Sequence, residues 1–123
     1  MGLDMFLVGV YDEDGETCRQ GAIYWRKANA IHNWFVANVQ DGEDNCQPHH
    51  VSREQLVELK GICKEVLEDK SKAARLLPTR AGFFFGSTDY DEGYYFDLQY
   101  TVEKIDEVLE DSRFAFFEYC SWW

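Results

Sequence analysis

Cys46-Gln-Pro-His49-His50 is the segment whose residue types come closest to a chemical site. A thiolate and two imidazoles within five residues, in a turn held by Pro48, are the sulfur and nitrogen donors that zinc prefers at a tetrahedral centre. Such a centre needs further ligands from elsewhere. His32 lies upstream on the preceding helical segment, and Asp4 sits between Leu3 and Met5, where a buried carboxylate needs a partner. His32, Cys46, Asp4 and His50, with His49 beside it, are therefore the candidate zinc ligands. The plainer alternative is an exposed loop with incidental histidines, a buried thiol and a His32 that donates one structural hydrogen bond. A single CxxxH lacks the paired spacing that makes zinc-finger motifs specific.

Charge is the second chemical feature. Ten of the 23 acidic residues fall between Ala81 and Trp123, against Lys104 and Arg113 alone, so this stretch carries eight of the net eleven negative charges. Asp89, Asp91, Glu92, Asp97, Glu103, Asp106, Glu107 and Glu110 are interleaved with aromatic and aliphatic residues, the pattern of a folded face rather than a disordered tail. Such a face repels nucleic acid and steers encounter with a cationic partner. A negative surface also keeps a small protein soluble, but solubility alone does not call for clustering.

Other chemistries find little support. There is no GxSxG, HExxH, GxxxxGK[ST] or GxGxxG, and no cysteine is singled out as a nucleophile. The acids of STDYDEGYYFD lack the spacing and closing glutamate of a calcium-binding EF-hand loop. Basic residues gather in the middle third, from Arg53 to Arg80, but acids are interspersed, and a pI near 4.5 opposes nucleic-acid binding. A non-enzymatic protein is expected.

The elements that would position these residues read as follows. Met5–Tyr11 is a buried strand, and the polar DEDGET around Gly15 is a turn leading toward Tyr24. From Lys27 to about Gln40 the spacing of Ala28, Ile31, Phe35 and Val39 predicts a helix, with Asn29, Asn33 and Asn38 on other faces. Ser52-x-x-Gln55 is a capping box opening a second helix, with a short continuation through Ala73 to Leu77 that ends at Pro78. GFFFGS reads as a short strand or buried turn. Ser87 or Thr88 then caps a third, acidic helix with Tyr95, Leu98, Val102, Ile105 and Leu109 as its buried stripe.

The ending, Phe114 to Trp123, is β-prone and apolar on both faces. It is expected to pair beside Met5–Tyr11, one face on the helices and the other covered by long loops or a second subunit. The fold class is thus α+β, three helices packed with a small sheet formed by the terminal strands. The 123 residues make a single domain (1–123) able to bury a core without disulfides. No apolar run is long enough to span a bilayer, and the start lacks a signal-peptide pattern, so a cytoplasmic setting with reduced cysteines is expected.

MGLDMFL, YWRKANAIHNWFV with the following NVQDG and Cys46, and GFFFGSTDYDEGYYFDL are together similar to a group of small phage and prophage proteins with the pattern MGLDMYL, YWRKANxIHxWF and FFFGSTxYDEWY. The similarity covers most of the chain. Phe6 and Gly93 depart from it, at the tyrosine of the first motif and the tryptophan of the last. Asp4, His32 and Cys46 fall on ligand-type positions of the pattern, and His49 and His50 do not. A phage setting, small size and clustered acids resemble host-defence inhibitors, including anti-CRISPR proteins, which occlude basic channels of nucleic-acid-handling enzymes. The resemblance implies a binding protein acting in the bacterial host cell on a basic partner such as a CRISPR effector nuclease, with Cas9 the best single instance. The runner-up is a small zinc metalloprotein, including a metal-dependent enzyme. A self-associating structural protein that uses the aromatic C-terminus is third.

Overall fold

The apolar run at the start forms a strand, as expected, and extends over Asp4–Glu13 (β1) in the computed structural model, which describes residues 2–82 and 85–123. Asp14 and Gly15 both take positive φ, 52° and 80°, so a two-residue hairpin turn reverses the chain into Glu16–Arg26 (β2). The sequence reading stopped at this turn and missed β2. The reason is physical: β2 is an edge strand whose Thr17, Arg19 and Gln20 are exposed, and a bulge between Leu7↔Ile23 and Val8↔Gly21 breaks its alternation.

Phe116–Trp122 (β4) pairs antiparallel with β1 from Asp4↔Trp122 to Val10↔Phe116, so the two ends of the chain meet at the centre of the sheet. His49–Val51 (β3) completes the order β2-β1-β4-β3. The fold is α+β, with helices packed on one face of an antiparallel four-stranded sheet. Met5, Leu7, Phe117 and Tyr119 point into the core with no exposure, and the alternate residues Phe6, Val8, Phe116 and Cys120 stay half-buried on the outer face.

The first helix, Asn29–Asn38 (α1), begins two residues later than expected because Lys27 sits at φ 55°, outside the helical region. Asn29, placed off the core in the sequence reading, is instead buried and donates to the carbonyls of Phe85 (3.0 Å) and Ser87 (2.8 Å). The capping box at Ser52 and Gln55 opens Arg53–Glu68 (α2), with both reciprocal hydrogen bonds formed. The expected continuation is a separate piece. Asp69 leaves the helix at φ −140° and caps a 3-10 turn over Lys70–Lys72, which leads into Ala73–Leu76 (α3).

The acidic helix is thus the fourth, Glu92–Glu110 (α4). Its cap is Asp91, whose carboxylate accepts from the Tyr94 amide at 3.1 Å, rather than Ser87 or Thr88. Ser87 Oγ is taken by the Asp89 amide, which builds the turn before the helix. Of GFFFGS, Phe83 and Phe84 lie outside the described residues, and Phe85 is buried.

Tyr94, Leu98, Thr101, Val102, Ile105 and Val108 form the buried side of α4, while Tyr95 and Leu109 are only half-buried. Trp25 Nε1 donates to Thr101 Oγ1 at 2.9 Å, and the Tyr100 hydroxyl donates to the Tyr24 carbonyl at 2.7 Å, which fixes α4 to the edge strand β2. At the far end Arg53 donates to the carbonyls of Leu109, Asp111 and Phe114. This guanidinium supplies the cation that α4 itself lacks in its last turn, where the helix dipole favours positive charge.

Gly9 is required by packing. A Cβ at this position would lie 2.5 Å from the ring of Phe114, which is buried against Tyr11 and Phe117 and has no room to swing away. Gly9→Ala is expected to destabilise by about 1–3 kcal/mol, the usual cost of overpacking. In a Phe114→Ala background the same substitution should cost far less. Equal costs in both backgrounds, measured by urea unfolding, would show that this contact does not set the requirement.

Candidate functional site

Two clusters of chemically competent residues emerge, one buried and one exposed. The buried one centres on His32, which α1 presents to β4 with no exposure at all. Its Nδ1 lies 2.6 Å from the Tyr119 hydroxyl and its Nε2 lies 2.9 Å from Asp44 Oδ1. Asp44 also accepts from Trp123 Nε1 at 3.1 Å and from Arg80 Nε at 3.2 Å. Arg80 reaches on to Asn33 Oδ1, and its backbone amide donates to Asn29 Oδ1.

A carboxylate only accepts, so Nε2 carries the imidazole proton and donates to Asp44. The Tyr119 hydroxyl then donates to the free Nδ1. Burial lowers the His32 pKa below its ordinary 6.5, against the opposite pull of Asp44, which keeps the ring neutral. Burial pushes the Tyr119 hydroxyl well above its ordinary 10. The arrangement resembles a catalytic relay, but its outer hydroxyl is sealed inside the protein, where no substrate reaches it. It acts as a structural lock joining α1, β4, the 39–48 loop and Arg80.

The other candidate zinc ligands are spread. Asp4 stands on the outer sheet face, accepting from the Tyr24 hydroxyl at 2.6 Å and pairing with Arg26 at 2.8 Å. These partners lower its pKa, the Tyr24 hydrogen bond most. His49 bonds Asn45 at 2.8 Å, and His50 stacks on Phe116 at 4.8 Å between centroids. Cys46 is half-buried in the loop ahead of β3. Among the described residues no three His, Cys, Asp or Glu side chains converge as a metal-binding group.

The exposed cluster is α4. Glu92, Phe96, Gln99, Glu103, Asp106, Glu107 and Glu110 follow steps of three and four residues and are all exposed, so they form one stripe. Asp106 pairs with Lys60 of α2, and Glu107 pairs with Lys104 at 3.4 Å. Glu92, Glu103 and Glu110 have no cationic partner among the described residues. Phe96, 68% exposed, stands in the middle of these acids. The sequence reading missed it, although an aromatic at a polar phase of the helix was the signal available.

Asp97 differs from the other acids singled out in the sequence. It is half-buried and lines a cavity of about 260 Å³ with Lys27, Asn29, Thr79, Asp91 and Tyr94. Asp89 and Asp91 lie at the same cavity and are exposed. Burial and then the Asp91 charge raise the Asp97 pKa from 3.8 to about 6. It is a strained member of the acidic set rather than part of its exposed face.

Two stability effects follow, with opposite signs. The depressed His32 pKa means that the unfolded chain takes up a proton the folded one refuses, so stability from this group is lost as pH falls below about 6.5. Asp44→Ala would leave the buried Nε2–H without an acceptor and should cost about 1–3 kcal/mol at pH 7.5. A variant as stable as the parent in a urea titration would contradict the lock. Asp97, with its raised pKa, contributes stability below pH 3.8 that is lost as pH rises through about 6. Asp97→Asn should therefore raise the melting temperature at pH 7.5 and leave it nearly unchanged at pH 3.5. A lower melting temperature at pH 7.5 would show that the carboxylate is stabilising.

No helix among the described residues is long and apolar enough to cross a membrane. No protein-family model, curated protein or solved structure matches this chain.

Proposed function

We propose that this chain is a non-catalytic binding protein that presents the outer stripe of α4 to a basic surface of a nucleic-acid-handling enzyme. One observation carries the reading: five exposed carboxylates, Glu92, Glu103, Asp106, Glu107 and Glu110, share one face of a rigid helix with an exposed Phe96. From Glu103 to Glu110, about 10 Å of rise, four carboxylates share the stripe, two of them offset by Lys60 and Lys104, and Glu92 stands about 16 Å nearer the start of the helix. A channel built to receive the phosphates of a nucleic-acid strand is lined with cations, which also attract a folded acidic face of this kind. Phe96 adds what phosphate lacks, an exposed aromatic ring whose burial on binding would anchor the interface.

The phage-protein resemblance of the sequence makes a bacterial defence nuclease the favoured partner, with Cas9 as the instance to test. Charge of this kind acts mainly on association, so the complex should form more slowly as salt rises. Reversing Glu103, Asp106, Glu107 and Glu110 to lysine should slow association with purified Cas9 by about tenfold or more. The fold should survive, because exposed substitutions cost little. DNA cleavage by Cas9 should be inhibited by the parent and not by the quadruple variant. Unchanged association in a folded quadruple variant, or full cleavage in a tenfold excess of the parent, would overturn the reading.

A further inference from the structure

Pairing of β3 with β4 reaches only to His49↔Tyr119, so β4 runs on through Cys120 to Trp122 with the 39–48 loop beside its open edge. Asp44 anchors that loop further along, where its Oδ1 accepts from Trp123 Nε1 at 3.1 Å. Cys46 follows one anchor by two residues and precedes the other by three, so it is held alongside Cys120 to Trp122. The loop also folds on itself there. Asn45 Oδ1 accepts from the Gln47 amide at 3.1 Å and bonds His49 Nε2 at 2.8 Å, which bends the chain at Cys46. Cys120 stands on the outer face of β4, opposite Phe6 and in line with Glu118 and Trp122. Both cysteines are half-buried free thiols. Burial, then the Cys46 charge, and then Glu118 push the Cys120 thiol up. Cys46 thus acts on it more strongly than an acid two positions away on the same face of the strand.

We propose that Cys46 and Cys120 form a paired site of oxidative modification, which closes to a disulfide when the chain meets a small-molecule disulfide of the glutathione class. One thiolate of the pair attacks the oxidant, forming a mixed disulfide and releasing one small thiolate. The second thiolate attacks the protein sulfur of that mixed disulfide and releases the other. Two protein S–H bonds and the oxidant's S–S bond are lost, and one protein S–S bond and two small thiols are formed. The oxidant takes both electrons and both protons.

The fold excludes the other two cysteines. Cys63 on α2 has no exposure, and burial pushes its thiol up to about 12, which leaves it inert. Cys18 sits opposite Tyr11, whereas Cys120 sits opposite Phe6, so they lie about 17 Å apart along β1 and on opposite faces of the sheet. A disulfide from Cys46 to Cys120 joins positions 74 residues apart and ties down the loop whose Asp44 accepts from buried His32. It adds a covalent tie to the lock, and it restricts the unfolded chain more than the folded one. In a reducing compartment such a bond forms transiently, as an oxidation sensor does.

The test treats the full chain with about 5 mM oxidised glutathione, followed by intact mass and tryptic mapping. Cleavage after Arg19, Lys27, Arg53, Lys60, Lys64 and Arg113 places the four cysteines in separate peptides, so the linkage is read directly. The folded chain should lose about 2 Da and yield peptide 28–53 joined to 114–123. Cys46→Ser and Cys120→Ser should each abolish the link and leave a glutathione adduct on the remaining thiol, and Cys18→Ser should leave the link intact. In about 8 M urea its yield should fall at least tenfold, because the fold no longer holds the thiols together. The cross-linked protein should melt at a higher temperature than the reduced one. Glutathione adducts alone on the folded parent, a link to Cys18, equal yield in urea, or a lower melting temperature on cross-linking would each overturn the proposal.

Discussion

The hydrogen-bonded chain Tyr119–His32–Asp44 is the constraint on which the arrangement of this molecule depends. It crosses from the central strand β4 through α1 to the loop that follows. Trp123 and Arg80 close on the same carboxylate, so the C-terminus and the segment leading to α4 are held by it too. A buried imidazole without partners would cost more than a hydrophobic residue in its place, whereas a fully satisfied one specifies a single packing. The stacked rings of Phe35 and Tyr119, 3.9 Å apart, hold the plane of the phenol in place. Pairing of β1 with β4 makes this possible, because it places Tyr119 opposite Leu7 at the middle of the sheet.

From that frame follows the segregation of charge. The helical side carries the acids of α4, held at one end by the Asp91 cap and at the other by Arg53 from α2. Each device places charge where a helix terminus welcomes it, a carboxylate at the N-terminus and a guanidinium at the C-terminus. The bare sheet side cancels its charges in pairs and exposes aromatic rings instead.

Much of the frame was legible in the sequence because its signals are local. Ser52 and Gln55 announce a helix start in four residues, and Met5–Tyr11 and Phe114–Trp123 are too apolar to be anything but buried or partnered strands. β2 was not legible, since an edge strand needs apolar residues on one face only and its bulge disrupts even that alternation. Asp44 read as part of a helix-ending turn, and Arg80 as one base among several, because their meeting at His32 spans 36 residues of chain between them. The zinc reading gathered Asp4, His32, Cys46 and His50 by donor chemistry, but the fold sends Asp4 and His50 to the outer sheet face and His32 to the core. Donor type is written in the sequence, and direction is written in the pairing of strands.

Four aromatic side chains report on the two faces separately: Phe96 and Tyr100 on α4, Tyr24 and Trp122 on the sheet. Hydroxyl-radical footprinting of the chain with and without Cas9 reads all four at once. The expected result is strong protection of Phe96, with oxidation of Trp122 and Tyr24 unchanged. Protection of Trp122 and Tyr24 with Phe96 still fully reactive would contradict the assignment of the acidic helix as the binding face.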